Sequence, residues 1–593
     1  MAPTQSPPSD DLSEEEPLVR ANLSQKRGKP RHGIQGCCFW CARWSALVLG
    51  AVAASAALLY YSSPTVRVVI LELQTQLHPP ATRVKARRDG LGRFTHGTTQ
   101  HLGRPMRVAI VGAGIAGLIA ADTFADSNRK VEARGGPVPH SAPRFDVTVF
   151  EATSHIGGHS WTVYFPTSHC ARVDDGRPCR TSGIYPVDVG YAYNPVFWGY
   201  RATRRLERRF GIPLKGPMRQ RVRVFKPGWR PVSAAENADF DRQCVRFSLL
   251  QRFMAACKPC ASVLYSPISL ATWLRLHGFS EAFFIFRLYP VIRFLIVTGS
   301  KGEMLASSAY TGLLAFTEGW GTCSAQQPHG TADWYTVGNG SEAHIRALRR
   351  EVGHWVQTET PVVSVRVRTT AEGGDGVDIV YERGGARQSA RFDAVILASA
   401  PDDTQRLLGP QAPEWLGGLT TEQITVAVHS DERAMPPAAS TDANMAYLAS
   451  TDSSGLGNAA LSVYWDDVHG ERAYPRPILT YNPEYLNISR PYRNEVFRHR
   501  FKHIHLPTIL EIARVRAGVR EAHNLPDARL FFAGAWVPEF ALSHPGAMRA
   551  GFEAAYSVGA RVDFKRHFLD AAGWADREGY VERMRSSGGA QIW

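Results

Sequence analysis

Three glycines at positions 112, 114 and 117 have the spacing in this chain that most clearly suggests chemistry. They form G-x-G-x-x-G directly after the four apolar residues 108–111 and directly before a run of small residues with helical spacing. In such a strand–turn–helix unit, Gly112 permits the turn, Gly114 lets a pyrophosphate approach the backbone, and Gly117 lets the helix pack on the strand. The helix N-terminus adds N–H donors and the positive end of the helix dipole. The stretch therefore predicts a dinucleotide-binding loop that consists of Gly112, Ala113, Gly114, Ile115, Ala116 and Gly117.

A carboxylate follows at the end of a second predicted strand. Residues 146–151 alternate and are β-branched, and they end at Glu151, where an acidic side chain would hydrogen-bond a ribose. Glu151 comes 34 positions after Gly117 (151 − 117), against about 20 in the usual fingerprint. The excess is assigned to residues 128–144, which are rich in Gly, Pro and Arg and predict a surface insertion. The alternative, in a chain with 52 glycines, is a turn that packs and binds nothing.

A glycine doublet then points from a general dinucleotide to a flavin. Gly157 and Gly158 lie shortly after Ala152 and directly before His159, an arrangement that is not part of a plain NAD site. The sequence V-A-I-V-G-A-G-I-A-G, then V-F-E-A, then I-G-G-H resembles the FAD-binding start of flavoproteins of the amine oxidase and phytoene desaturase type. It is most similar to a little-characterised branch of predicted NAD/FAD-binding proteins, which carry G-G-H where amine oxidases usually carry G-G-R. The resemblance implies that FAD is the cofactor and that Ala152, Gly157, Gly158 and His159 contact it.

The resemblance continues downstream in the order expected for that superfamily. The matching stretches are, in order, residues 187–190, 333–341, 361–365, 392–400, 530–536 and 544–555. The additional FAD contacts that they imply are Val363, Ala398, Gly534, Gly546, Ala547 and Met548. One departure is Ala535, which stands where many amine oxidases have a glutamate that contacts the ribityl chain. FAD binding survives this change because most contacts are made by the backbone, but the amine oxidase reaction itself is not implied.

The fold class that follows is α/β, with a Rossmann-like FAD-binding domain of the amine oxidase type interleaved with an α+β substrate domain and preceded by a transmembrane helix. The predicted FAD-binding parts are residues 105–190, 331–404 and 526–563. The predicted substrate domain takes residues 191–330 and 405–525. The remaining predicted segments are a disordered tail at 1–42, a transmembrane anchor at 43–62, a linker at 63–104 and a C-terminal tail at 564–593.

The membrane anchor rests on an uncharged apolar run at residues 44–61, bracketed by aromatic residues. Most of the flanking basic residues precede the run, which places the N-terminus in the cytosol and the catalytic body in a lumen or outside. Basic residues between 83 and 88 weaken that asymmetry. A buried helix or a cleaved signal is the alternative. We expect a single-pass membrane protein.

Composition limits the partners. The net charge is +14, but the basic residues are spread along the chain and no zinc-finger or RNP-like motif is present. We therefore expect no nucleic acid as a partner, and no metal-ligand spacing stands out. The lone C-x-x-C of Cys257 and Cys260 indicates a local disulfide or two free thiols.

No side chain is assigned a catalytic role from the sequence. Lys301 could be the lysine that some amine oxidases place near the flavin, and the plainer interpretation is an exposed loop lysine. His159 could hydrogen-bond a phosphate. His544 could border the active site or simply begin a helix. The largely apolar residues 282–297 predict a buried core helix, the wall of a substrate tunnel or a membrane-facing surface, and residues 423–430 and 461–465 predict strands of a sheet over the flavin.

The predicted function is a membrane-anchored FAD-dependent oxidoreductase that takes a hydride from a lipophilic or amine-bearing small molecule and passes electrons to oxygen or another acceptor. A flavin-dependent double-bond isomerase or desaturase of a lipid or isoprenoid is one alternative. A non-catalytic membrane-anchored protein that kept the fold is the other, and the intact positions Gly114 and Glu151 speak against it.

Overall fold

The computed structural model describes residues 104–560, together with a short antiparallel strand pair at residues 87–88 and 94–95. Within 104–560 the stretches outside the described part are 134–143, 173–182, 190–200, 258–260, 262–263, 297–300, 314–315, 317–321, 325–333, 369–375, 439–440, 450–458, 490, 505–508, 526–527 and 538–543. The described residues belong to one compact unit, which begins after residue 67. The predicted tail at 1–42, anchor at 43–62 and C-terminal tail at 564–593 lie outside the described residues, as does most of the predicted linker at 63–104.

The described part of the chain contains helices and strands with the following bounds. The helices are α1 (Ile115–Glu132), α2 (Arg201–Phe210), α3 (Ala234–Ala256), α4 (Leu270–Leu276), α5 (Glu281–Phe283), α6 (Tyr289–Ile296), α7 (Lys301–Ala306), α8 (Ala309–Gly312), α9 (Glu342–Val352), α10 (Pro401–Leu408), α11 (Ile509–Asn524) and α12 (His544–Val558). The strands are β1 (Arg87–Arg88), β2 (Phe94–Thr95), β3 (Met106–Val111), β4 (Phe145–Phe150), β5 (Thr162–Pro166), β6 (His169–Arg172), β7 (Ile184–Asp188), β8 (Leu214–Lys215), β9 (Val222–Lys226), β10 (Arg230–Pro231), β11 (Thr336–Val337), β12 (Val356–Gln357), β13 (Val362–Arg368), β14 (Gly376–Arg383), β15 (Ala386–Phe392), β16 (Ala394–Leu397), β17 (Thr421–His429), β18 (Met445–Ala449), β19 (Ala459–Tyr464), β20 (Glu471–Tyr474), β21 (Ile478–Tyr481), β22 (Phe497–Ile504) and β23 (Leu530–Phe532).

A five-stranded parallel sheet forms the centre of the dinucleotide fold. Its order is β12-β4-β3-β16-β23, and every pairing in it is parallel. The central strands β3 and β16 are almost continuous apolar runs because parallel sheets are covered on both faces. The carboxyl ends of the strands meet at one edge, which is where ligands bind in such sheets. Gly112, Glu151, Ala398 and Gly534 follow directly at that edge, so the predicted α/β fold is confirmed.

Helix α1 is longer than the sequence suggested. It continues to Glu132, so residues 128–132 are helical and the predicted insertion at 128–144 begins too early. An ion pair one turn apart, Lys130 Nζ to Asp126 at 2.9 Å, supports the last turns. The Asn128 side chain also exchanges two hydrogen bonds of 2.9 Å with the backbone of Phe145 at the start of β4. The predicted start of the insertion was wrong because it was inferred from amino-acid composition, which contains no information about contacts between residues distant in sequence.

A seven-stranded sheet lies in the second half of the fold. Its order is β10-β9-β18-β19-β21-β17-β22; β9 and β18 pair in parallel and the other pairs are antiparallel. The strands predicted at residues 423–430 and 461–465 are β17 and β19, so both predictions are confirmed as strands. A separate antiparallel sheet has the order β13-β14-β15.

Helices α3 to α8 surround a second apolar core. The predicted core helix at residues 282–297 is found as α5, the π-helical segment Phe284–Leu288 and α6. Its described side chains are buried together with Phe247 and Trp273, which agrees with a core helix. Arg287 is tolerated there because its guanidinium donates to Asn237 Oδ1 at 2.8 Å and lies 5.3 Å from the Phe240 ring. Among the described residues, no helix combines the length and apolar character that crossing a membrane requires.

One disulfide was not foreseen. Cys244 on α3 is joined by a disulfide to Cys323, 79 residues later. Cys257 is also disulfide-bonded, which agrees with the first of the two alternatives for it, while Cys260 lies outside the described residues. The long-range pair was not predicted because no spacing rule connects residues so far apart.

Candidate functional site

The first glycine loop has the geometry that its spacing predicts. Gly112 has a φ of +106°, and a Cβ there would lie 2.9 Å from the carbonyl oxygen of Ala398. A Cβ on Gly117 would lie 2.0 Å from the carbonyl oxygen of Gly112, so only glycine lets α1 start this close to the turn. A Cβ on Gly114 would meet no protein atom within 4 Å. Gly112 and Gly117 are thus required by the protein itself, whereas the space beside Gly114 is open to a ligand.

The first turn of α1 faces that open space with favourable electrostatics. Gly114 is its N-cap in an extended conformation and provides no side-chain cap, and the first turn contains no acidic residue. Ile115 and Ala116 are buried and fix the helix against the core, which leaves the N–H groups and the dipole to act on a ligand.

Glu151 lies at the edge of this loop. Its Oε2 accepts the backbone N–H of Ala113 at 3.0 Å, and its Oε1 accepts the N–H and the hydroxyl of Thr153 at 3.0 and 2.9 Å. A carboxylate has about four acceptor sites, so these three bonds orient it and leave capacity for a ribose hydroxyl. The exposed Ala152 adjoins it.

The glycine doublet meets the first loop directly. Gly157 donates its N–H to the carbonyl of Ala113 at 3.0 Å, and Gly114 and Gly157 form a parallel bridge. Both doublet glycines have positive φ, +131° and +59°. A Cβ on Gly158 would lie 3.4 Å from Gly114 Cα, so the two loops lie in contact at the open space.

A buried carboxylate supports the doublet from behind. A Cβ on Gly157 would lie 3.0 Å from the Ile345 side chain of α9, so α9 sets the position of this loop. Asp188, at the end of β7, accepts the N–H of Ser341 at 2.6 Å and its hydroxyl at 2.8 Å, which anchors the start of α9. Burial raises the pKa of Asp188 to about 7, although the two bonds from Ser341 act in the opposite direction.

The start of α12 meets the same region from the far end of the chain. His544 Nδ1 lies 3.3 Å from Ser160 Oγ, two residues beyond the doublet. A Cβ on Gly551 would lie 2.0 Å from the carbonyl oxygen of Ala116, so α12 packs closely on α1. Of the predicted flavin contacts, Gly546 is partly accessible, Ala547 and Met548 are buried, and the Met548 sulfur accepts the Thr203 hydroxyl at 3.7 Å. Three separated parts of the chain therefore converge here.

Three further predicted contacts border the edge of the parallel sheet. Ala398 follows β16 and presents its carbonyl to Gly112. Gly534 has a φ of +143°, and the Trp536 ring occupies the space where its Cβ would lie; that ring donates to Ser399 O at 3.1 Å. Val363 sits at a register irregularity between Val362 and Ser364, so it has no partner residue in the β13–β14 register.

A row of rings along β22 was missed by the sequence analysis. We call the following residues the ring row: His159, Trp161, Phe497, His499, Phe501 and His503. Its ring centroids lie 4.6 to 6.3 Å apart in successive contacts. The signal was available, since residues 497–503 alternate rings with Arg or Lys at the period of a strand. Burial lowers the pKa of the three histidines in the row, so the row is uncharged at neutral pH.

His159 connects the doublet to this row. Its Nε2 lies 2.9 Å from the carbonyl of Lys502, so Nε2 carries the proton and Nδ1 is the acceptor of the neutral ring. The side chain is accessible to solvent, yet the surrounding protein desolvates it enough to lower its pKa. A residue with both properties lines a cleft. The predicted phosphate contact would require His159 to move its proton to Nδ1 or to give up Lys502, and it remains a prediction.

Lys301 is not an exposed loop lysine, and its position near the flavin stays a prediction. It begins α7, its side chain is only 13 % exposed, and its ammonium pairs with Glu281 at 3.0 Å. The exposed-loop interpretation was wrong because the neighbouring helix α5, which supplies this partner, cannot be located from local sequence. Among the described residues, no group of His, Cys, Asp or Glu could hold a metal ion.

The arrangement fits FAD. The open side of Gly114 adjoins the start of α1 and the doublet, and Glu151 contacts the same loop through Ala113. The residues that would hold the pyrophosphate are the backbone groups of the first loop, and Glu151 would hold the ribose.

Comparison with known proteins identifies a family that matches this chain. The family model for flavin containing amine oxidoreductase matches residues 115–559, which is most of the chain. A search of curated proteins finds no match.

Several solved structures are similar at low identity. A putrescine oxidase double mutant is 17 % identical over 77 % of this chain and 100 % of that one, with a TM-score of 0.49. Cyclohexylamine oxidase from Brevibacterium oxydans is 17 % identical over 77 % and 98 %, with a TM-score of 0.46. A fatty acid isomerase from P. acnes is 15 % identical over 76 % and 97 %, with a TM-score of 0.47. At these values the similarity supports no argument about this chain.

Proposed function

Because the chain belongs to the flavin-containing amine oxidoreductase family, we propose that it is an FAD-dependent oxidoreductase of an uncharged, lipophilic substrate. Family membership makes the chain a flavoprotein oxidoreductase with FAD as cofactor. Beyond family membership, we propose the class of substrate, the electron acceptor and the attachment to a membrane. We also propose that the chain falls in the branch marked by His159 after the glycine doublet.

The ring row is the observation that carries the substrate proposal. Trp161 lies 5.0 Å from Phe497 and 5.1 Å from His499, next to the doublet loop. A cationic amine would be bound best by a carboxylate, because burying an unpaired charge is costly. The row holds no carboxylate, and although aromatic faces also attract cations, its neutral imidazoles add no negative charge. Such a surface suits an isoprenoid or fatty acyl chain better than a polyamine.

Two charged residues that alternate with the rings along β22 support the substrate proposal, because both are paired with carboxylates. Arg498 pairs with Glu495 at 2.7 Å, and Lys502 pairs with Asp402 and Asp403 at 2.9 and 2.8 Å. These charges are neutralised away from the rings. The ring face is therefore left to uncharged partners.

When bound, FAD supplies the hydride-accepting chemistry. The chain's own residues orient the substrate and hold protons. The bond from His159 Nε2 to Lys502 O leaves Nδ1 as an acceptor in the cleft, and the lowered pKa keeps it so at neutral pH. We propose that this nitrogen accepts a hydrogen bond or a proton from substrate, and that oxygen or another acceptor removes the electrons.

Anaerobic flavin reduction tests the substrate class. The purified protein is mixed with long-chain unsaturated lipids, isoprenoids or polyamines, and loss of flavin colour is followed. Colour loss with the lipophilic compounds and none with polyamines supports the proposal; the reverse pattern contradicts it. Conversion of the lipid without consumption of any acceptor indicates the double-bond isomerase instead. His499→Asp, compared with His499→Gln, should raise the KM for the lipophilic compound because it adds a carboxylate to the ring row.

We also propose that residues 43–62 anchor the protein as a single membrane span, with the N-terminus in the cytosol and the body in a lumen or outside. The Cys244–Cys323 disulfide supports this side for the body, because disulfides persist in oxidising compartments. The sequon at Asn487 is exposed and offers a test. A glycosidase-sensitive mass at Asn487 in a eukaryotic host, lost in Asn487→Gln, supports this orientation; an unmodified chain that is inserted in the membrane contradicts it.

A further inference from the structure

Helix α3 has a second apolar face that points away from the core. Its inner face buries Phe240, Phe247 and Met254. On the opposite side, at helical spacing, Val245 is 69 % exposed and Leu249 is 63 % exposed. Helices that cover a core usually expose polar residues there. The outer apolar residues of α3 therefore serve something other than the fold.

The helix next to α3 also ends in an exposed leucine. Phe253 continues the outer apolar residues of α3 at the next turn and is 41 % exposed, and Leu276 at the end of α4 is 70 % exposed. The two helices are joined at this point because Arg246 donates to the carbonyl of Gly278 at 2.8 Å and lies 4.8 Å from the Phe279 ring. We call Val245, Leu249, Phe253 and Leu276 the outer apolar face.

Arginines border this face. Arg242, Arg246 and Arg252 alternate with its members along α3, and Arg275 precedes Leu276. All four are exposed. The Arg242 guanidinium is paired with Asp239 at 3.0 Å, so the local charge is positive but partly compensated. Apolar side chains between arginines on a helix surface are complementary to a bilayer interface with anionic headgroups.

We propose that the outer apolar face docks on an anionic membrane surface. The apolar side chains would enter the headgroup and acyl boundary, and the arginines would meet lipid phosphates. The proposal does not depend on the enzymatic function. It does not require the predicted anchor at residues 43–62 either.

The test uses the full chain in vesicles and a photo-reactive residue. Leu249→p-benzoylphenylalanine is compared with the same substitution at Leu525, an exposed leucine directly after α11 and outside the outer apolar face. After irradiation, lipid adducts are identified by mass spectrometry in anionic and in zwitterionic vesicles. We expect lipid adducts at position 249 in anionic vesicles, fewer in zwitterionic vesicles, and few at position 525 in either.

Two further variants test the contributions of charge and of apolar contact separately. Arg252→Gln should lower binding of the face by about fivefold, the usual effect of one basic residue near an anionic surface, and added salt should act in the same direction. Leu249→Glu, with the photo-reactive residue at position 245, should abolish the adducts, and retained flavin would show that it is folded. Adducts to a second copy of the chain or to another protein, or equal lipid adducts at 249 and 525, would overturn the proposal. Carbonate extraction of the same vesicles reports on the anchor separately.

Discussion

Two glycine substitutions distinguish a glycine that the fold requires from a glycine that FAD binding requires. A Cβ at position 117 would overlap the Gly112 carbonyl at 2.0 Å, whereas a Cβ at position 114 would meet nothing within 4 Å. Gly117→Ala should therefore destabilise the fold itself, by about 1–3 kcal/mol or more, since overlap in a close-packed interior forces backbone shifts. Gly114→Ala should leave the protein without FAD nearly unchanged in stability.

The size of the Gly114→Ala effect follows from two opposing contributions. Its φ of −69° suits alanine, which restricts the unfolded chain and stabilises by roughly 0.4–1 kcal/mol. Alanine is a poorer N-cap than glycine, which costs a similar amount, roughly 0.5–1 kcal/mol. The net change should be below about 1 kcal/mol. If the pyrophosphate lies against Gly114, the added methyl group should instead weaken FAD binding by about a hundredfold or more, or ~2.8 kcal/mol.

The assay is titration of the FAD-free protein with FAD, followed by quenching of flavin fluorescence, beside thermal unfolding without FAD. The expected result is normal unfolding with lost affinity for Gly114→Ala, and lowered unfolding temperature for Gly117→Ala. Wild-type affinity in Gly114→Ala would refute the placement of the pyrophosphate. Equal destabilisation by both substitutions would refute the distinction between them.

Three other predictions concern charges and the disulfide. Glu151→Gln should raise the Kd for FAD by roughly ten- to a hundredfold, because a charged acceptor for the ribose is lost while the amide oxygen can still accept the Ala113 N–H; unchanged Kd in equilibrium dialysis would argue against the ribose role. Burial raises the pKa of Asp188 from 3.8 to about 7. The wild-type protein should therefore lose stability as the pH rises across that window, by up to about 1.4 kcal/mol per pH unit, and Asp188→Asn should remove this dependence. Melting temperatures that change with pH in the same way for both proteins would contradict this prediction. Cys244→Ser should lower stability by up to ~4.5 kcal/mol, the chain-entropy value for a loop of 79 residues, and a reductant should then have less effect on the variant than on the wild type in thermal unfolding.

Local signals made the cofactor region predictable. Gly117 is required by a contact with Gly112, five residues earlier, and β3 and β4 are short apolar strands with a clear pattern. The doublet could be identified by its distance from Glu151. Each of these features depends on backbone geometry that neighbouring residues determine.

The remaining features depend on partners that are distant in sequence. His159 meets Phe501 and His503 only because β22 folds across the doublet loop, some 340 residues later. Lys301 is paired with Glu281 because two short helices pack together. In the same way, the long disulfide and the outer apolar face of α3 follow from tertiary packing, which composition and periodicity do not specify.

The cofactor content of the purified full-length protein tests the central claim most directly. The protein is denatured, the released small molecules are separated by chromatography, and FAD is quantified against the polypeptide. We expect close to one FAD per chain, or stoichiometric uptake of added FAD, together with the yellow colour of an oxidised flavin. A folded, colourless protein that neither contains FAD nor takes it up would contradict the account.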